Sequence, residues 1–141
     1  MDESNSINDL LNRFESLLHG FNYECYFQFY PITNSTEIAI ANNKINSDAL
    51  ISFEDFKKDI IQKLSYRGEE GAGVILSKTK EELFSEELKK LWILFEQKFQ
   101  PNLTSVYIYP EIHSWIYWGF CFLIVSKESN NIYLFEGISS D

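Results

Sequence analysis

Side chains that ligate metals or attack substrates are scarce in this chain: two cysteines and two histidines stand apart as Cys25, Cys121, His19 and His113. A structural zinc site needs closely spaced ligand pairs, which this spacing does not supply, so no metal is expected. Both cysteines lie inside apolar runs, where burial disfavours the thiolate and blocks access, so two buried structural thiols are expected and no nucleophile. No apolar run approaches the ~20 residues of a spanning helix, and no membrane association is expected. The opening Met-Asp-Glu-Ser-Asn has neither the basic nor the apolar region of a secretory signal, which makes a reducing cytoplasm the expected compartment. Positive charge is short as well. Twelve Lys and Arg against twenty-one Asp and Glu leave a net charge of −9, which repels phosphate backbones and anionic membranes and favours encounter with a basic protein.

What the chain has in quantity is aromatic carbon: twelve Phe, eight Tyr and three Trp within 141 residues, of which 45% are hydrophobic. A domain of this size buries roughly 65–70% of the surface its unfolded chain exposes, so residues 1–141 are expected to form one globular domain without disulfide or metal. The closing stretch from Trp115 to Val125 is apolar on both faces when extended, with Trp115, Tyr117, Cys121, Leu123 and Val125 on one and Ile116, Trp118, Phe120, Phe122 and Ile124 on the other. That pattern predicts a central strand covered on two sides. A turn at 126–131 and a second strand, Ile132 to Ile138, make a hairpin of it, and Ser105 to Tyr109 supplies a third strand ended by Pro110.

Upstream, apolar residues at one-face spacing predict a helix from Ile7 to Leu18, with Ser6 and Asp9 as a capping box and Gly20 as its stop. Tyr23 to Tyr30 alternates, Cys25, Phe27 and Phe29 against Glu24, Tyr26, Gln28 and Tyr30, and reads as a half-buried strand. A weaker strand is expected at Glu37 to Ala41, followed by a polar linker from Asn42 to Asp48. A helix after Ser52 carries Phe53, Phe56, Ile60, Ile61 and Leu64. A short strand is expected at Val74 to Leu76, and a helix capped by Thr79 and Glu82 carries Phe84, Leu88, Leu91, Trp92, Phe95 and Phe99. The expected fold is α+β, a largely antiparallel sheet of five to six strands with about three helices packed on it, and the β-α-β-α-β centre leaves room for one parallel pairing.

The most motif-like stretch, RGEEGAGVIL from Arg67 to Leu76, leaves a helix and enters a strand, the reverse of a phosphate cradle, and Glu69 and Glu70 repel phosphate. It also misses the Arg-x-x-Gly-x-Gly spacing by which acetyltransferases hold coenzyme A, so no cofactor is expected. Glu82 and Glu86 share a helix face four residues apart, and Glu86 or Glu87 with Lys90 reads as a solvated ion-pair face. With every element reading as a clean packing face, the chain is expected to work by its surface and not as an enzyme.

In size, acidity, α+β character and Asn/Ile/Lys-rich usage the whole chain resembles the small cytoplasmic immunity proteins with which bacteria neutralise the toxin domains of contact-dependent and other polymorphic toxin systems. The closing hairpin WGFCFLIVSKESNNIYLFEG shares their general style. The resemblance implies a stoichiometric inhibitor that masks a cognate toxin, often a basic nuclease, with acidic side chains. Local acidity nominates Glu69, Glu70, Glu82, Glu86 and Asp141 as its contacts, and Tyr26 and Tyr30, on the less apolar face of their strand, as anchors. Two alternatives stand beside it: a small enzyme or ligand binder with an aromatic pocket near His113 and Glu111, and a module that self-associates through a sheet edge.

Overall fold

The computed structural model of the chain describes residues 3–20, 23–66, 74, 76–109 and 116–140. In chain order these form α1 (Glu3–Leu17), β1 (Glu24–Pro31), α2 (Ser35–Lys44), β2 (Leu50–Ile51), α3 (Phe53–Leu64), α4 (Lys78–Lys98), a 3-10 turn (Pro101–Leu103), β3 (Thr104–Ile108), β4 (Ile116–Ser126) and β5 (Ile132–Ser140). The strands make one sheet in the order β1-β5-β4-β3-β2, and each pairing is antiparallel. The fold is α+β as expected, with four helices among the described residues and no parallel pair.

Strand β4 occupies the centre of the sheet, where its two apolar faces require it. Phe120, Phe122 and Ile124 enter the main core, while Leu123 is fully buried in a second, smaller cluster with Ala41 and Ile132 on the opposite face. The hairpin to β5 closes through Asn130, whose φ of 59° is the left-handed conformation that asparagine tolerates.

The main core lies between the sheet and α1, α3 and α4. Phe56 of α3 meets Phe122 edge-on at 4.9 Å and Trp92 of α4 at 5.7 Å, and Phe95 of α4 lies 5.2 Å from Phe135 of β5. Phe29 of β1 packs against Phe95, Phe99 and Tyr133 at 5.6, 6.0 and 5.6 Å. Each such ring contributes about 1.5–3 kcal/mol by burial, and edge-to-face pairs add about 0.5–1.5 kcal/mol.

Five local expectations are corrected. Glu37 to Ala41 is helical: Asn34 caps α2 by accepting from the Thr36 and Glu37 amides at 2.8 and 3.3 Å, and this cap outweighs the strand-like alternation of Ile and Ala. Asn42 to Lys44 therefore completes that helix, and the remaining connection turns on Asn46, which accepts from the Asp48 and Ala49 amides. Helix α1 begins at Glu3, so Ser6 and Asp9 lie inside it and are not a cap. Helix α4 is capped by Ser77, whose Oγ accepts from the Lys80 amide, and not by Thr79. Val74 and Leu76 adopt no strand, and the two-residue β2 was too short to show in the pattern.

Glu87 departs from its expected role as well. It is 4% exposed, and its carboxylate takes the Arg13 guanidinium of α1 at 3.1 Å and the Lys90 ammonium at 3.6 Å. It ties α1 to α4 from within the helical layer, where Glu86 one position away is exposed. On the far side of α1, two polar side chains reach the outer edge of β1: Glu15 accepts from the Phe27 amide at 2.9 Å and Asn8 donates to the Phe29 carbonyl at 3.0 Å. This occupies an edge that otherwise invites strand pairing, and the opposite edge is only the two-residue β2.

Gly137 on β5 gives the packing a direct test. A Cβ there would stand 2.6 Å from Phe120 and 2.8 Å from Phe27, both ring atoms held in the core. Gly137→Ala is expected to lower stability by about 1–3 kcal/mol, read as a lower urea midpoint at unchanged slope.

Candidate functional site

Among the described residues, the face of the sheet turned away from α1, α3 and α4 is only partly covered. Antiparallel register builds it in rows: Tyr26 opposite Ile138, Gln28 opposite Glu136, and Tyr30 opposite Leu134. Strand β4 extends the same rows with Gly119, Cys121 and Leu123. Because β1 alternates strictly, burying Cys25, Phe27 and Phe29 commits Glu24, Tyr26, Gln28 and Tyr30 to this outer face.

Helix α2 covers one end of the rows through Ala41, which packs on Leu123 and Ile132. Between the helix and the sheet lies a cleft of about 170 Å³ lined by residues that include Tyr30, Ile40, Tyr109, Leu134, Glu37 and Glu136. Around it, apolar surface stays open to solvent: Tyr26 is 50% exposed, Ile40 46% and Tyr30 37%. Three carboxylates, Glu24, Glu37 and Glu136, share this surface with Tyr26, Tyr30 and Tyr109, and no lysine or arginine lines the cleft among the described residues.

At the β1 end the polar groups form a chain. The Tyr26 phenol donates to Glu24 Oε2, and Glu24 Oε1 lies 3.5 Å from His19 Nε2 at the end of α1. The hydrogen bond to Glu24, followed by that carboxylate's charge, burial and the more distant Glu15, raises the Tyr26 phenol above its ordinary value. The result is a half-exposed tyrosine whose hydroxyl is tied to Glu24, two residues back along the same strand.

Of the residues nominated from sequence, Tyr26 and Tyr30 are brought together on this face. Glu82 and Glu86 are exposed on α4, in the helical layer on the other side of the sheet, and do not join it. Glu69, Glu70 and Asp141, with His113 and Glu111 of the alternative pocket, lie outside the described residues. The acids that do share the face escaped nomination for separate reasons. Glu37 was hidden by reading α2 as a strand, and Glu136 reaches Gln28 only through the β1–β5 register. Glu24 was visible in the alternation of β1, where outward polarity has the ordinary meaning of a solvated edge.

Both cysteines are buried and neither is in a disulfide. Among the described residues no group of three His, Cys, Asp or Glu side chains is arranged to hold a metal ion, and no helix is long and apolar enough to cross a membrane.

No family model matches the chain, and no curated protein matches it. Among solved structures the chain is similar to citrus MAF1 in two crystal forms. In space group P 31 2 1 the TM-score is 0.58 at 12% identity, covering 94% of this chain and 97% of that one. In space group C 2 2 21 it is 0.52 at 10% identity, covering 93% and 99%. At such identities the likeness is one of fold.

The Tyr26–Glu24 bond predicts a titration. In a tyrosinate absorbance titration compared with Tyr26→Phe, Tyr26 is expected to ionise later than an ordinary exposed phenol, because its loss of a proton would set two anions side by side. Glu24→Gln is expected to return it toward the ordinary value.

Proposed function

We propose that the chain is a binding protein that docks a basic partner protein on the open face of its sheet, in the manner of the acidic immunity proteins it resembles. The observation that carries this reading is the setting of Tyr26, Tyr30 and Ile40 among Glu24, Glu37 and Glu136 on a face that the described helices cover only in part. Tyrosines supply large contact area at low entropy cost, and they rank with tryptophan and arginine as the residues that carry most interface energy. Held on paired strands, they lose little freedom on docking.

The charge serves a different step. A net charge of −9 accelerates encounter with a cationic protein, and carboxylates around an aromatic centre set its register. On this reading Glu82 and Glu86, facing away from the docking face, add to the attracting field without touching the partner. The function is stoichiometric masking of a toxin domain in the cytoplasm, and the chain performs no chemistry of its own.

The test begins with capture of the partner from the native cytoplasm, identification by mass spectrometry, and calorimetry with the purified pair. The expected result is a one-to-one complex with a basic protein whose affinity falls as salt rises. Tyr30→Ala or Tyr26→Ala is expected to weaken it at least about tenfold, and Glu24→Lys with Glu136→Lys to abolish it. Glu82→Lys with Glu86→Lys is expected to slow association and leave dissociation unchanged. A partner whose affinity ignores salt and all four face substitutions, in variants that fold normally, overturns the reading.

A further inference from the structure

A second surface, on the helical side of the sheet, has a different chemistry. Asp55, Asp59 and Lys63 follow one another four residues apart along α3 and so lie in one line, beside the buried stripe of Phe56, Ile60 and Leu64. Strand β2 is only two residues long, and α2 sits on the other face, so none of the described elements covers this side of α3. What results is a groove of about 400 Å³ between α3 and strands β2 to β4. Ile51, Ile108, Phe120 and Phe122 give it apolar walls, and Gly119, at an irregularity of the β4–β5 register, also lines it.

The charges in the groove do not cancel. The Lys63 ammonium is committed, donating to the Gly119 carbonyl at 2.8 Å and lying 3.3 Å from Asp59. The two other lysines of α3 that pair with acids turn elsewhere, Lys57 to Glu96 and Lys58 to Glu54. Asp55 lines the groove with no ion pair among the described residues. Two carboxylates against one ammonium leave the lining with a surplus negative charge next to apolar walls, where water is displaced and a charge-assisted hydrogen bond gains strength.

We infer that this groove binds a small organic cation, an ammonium carrying an apolar or aromatic body, with the ammonium at Asp55 and Asp59 and the body against Ile51, Ile108 and Phe122. The volume is in the range of small-molecule sites, whose walls are mostly apolar with a few convergent polar groups. Anions are repelled by the lining and by the chain as a whole. The apolar walls Phe120 and Phe122 point to the opposite side of the sheet from Leu123, so the body of the ligand lies across the sheet from the docking face, and Tyr109 borders both the groove and the cleft beside α2.

The experiment is a titration of the isotope-labelled chain by amide NMR with three probes of one shape: phenethylammonium, neutral phenethyl alcohol and anionic hydrocinnamate. Phenethylammonium is expected to give saturable shifts at Asp55, Ile108 and Gly119, with the alcohol at least about tenfold weaker and hydrocinnamate without effect. Asp55→Asn, which keeps a side chain able to stand in the first turn of α3, is expected to weaken the ammonium about tenfold at unchanged melting temperature. Glu24→Lys with Glu136→Lys is expected to leave this binding intact, so that it and the docking face fail separately. Equal binding of ammonium and alcohol, indifference to Asp55→Asn, or no shift at millimolar phenethylammonium overturns the inference. A lysine peptide that shifts these residues where phenethylammonium does not also overturns it, and assigns the groove to a partner's side chain.

Discussion

The packing of Phe56 and Phe95 on Phe135 is the contact on which the architecture depends. These rings press α3 and α4 onto one face of the sheet, and Phe29 and Phe122 bring β1 and β4 into the same cluster. With three helices committed to that face, the other receives, among the described elements, only α2, attached through the small patch of Ala41, Leu123 and Ile132. The open aromatic and acidic surface is thus a consequence of where the large rings went. Its strand residues are also held in place, because Glu24, Tyr26, Gln28 and Tyr30 alternate along β1 with residues that are buried.

Much of this was legible in the residues, and the reasons differ by element. The centre of the sheet could be read from β4, because a strand apolar on both faces has nowhere else to go, and α3 from an unbroken stripe of Phe and Ile. Helix α2 could not, since Ile and Ala alternate in it and the decisive feature is a single capping asparagine two residues ahead of the first helical amide it holds. Pairing order was also out of reach: periodicity says that β1 has a buried side, but not that β5, far along the chain, is its neighbour. The site suffered from that gap most. Tyr26 and Tyr30 followed from alternation within one strand, whereas Glu136 and Glu37 join them only through sheet register and helix placement.

Glu86 and Glu87 make the same point at the scale of a single residue. In sequence they are equivalent acids near a lysine; in the structure one is solvated and the other is buried and bridges two helices through Arg13. A rotation of about 100° along a helix separates the two fates, and only the position of α1 decides which acid receives which. Taking the Glu87 carboxylate out of water is costly and Arg13 stays half exposed, so the pair contributes to helix placement more than to stability.

The sheet order has a consequence for how the chain is made. Strand β1 leaves the ribosome well before β5, its one partner among the described strands, and everything from Ile32 to Asn131 must be synthesised before that partner begins. Through that interval Phe27 and Phe29 have no sheet to enter, and α1 is their nearest shelter. Long-range pairing of this kind is slow to close, so Asn8 and Glu15, by holding the backbone of β1, also guard a nascent strand against neighbours on the same message.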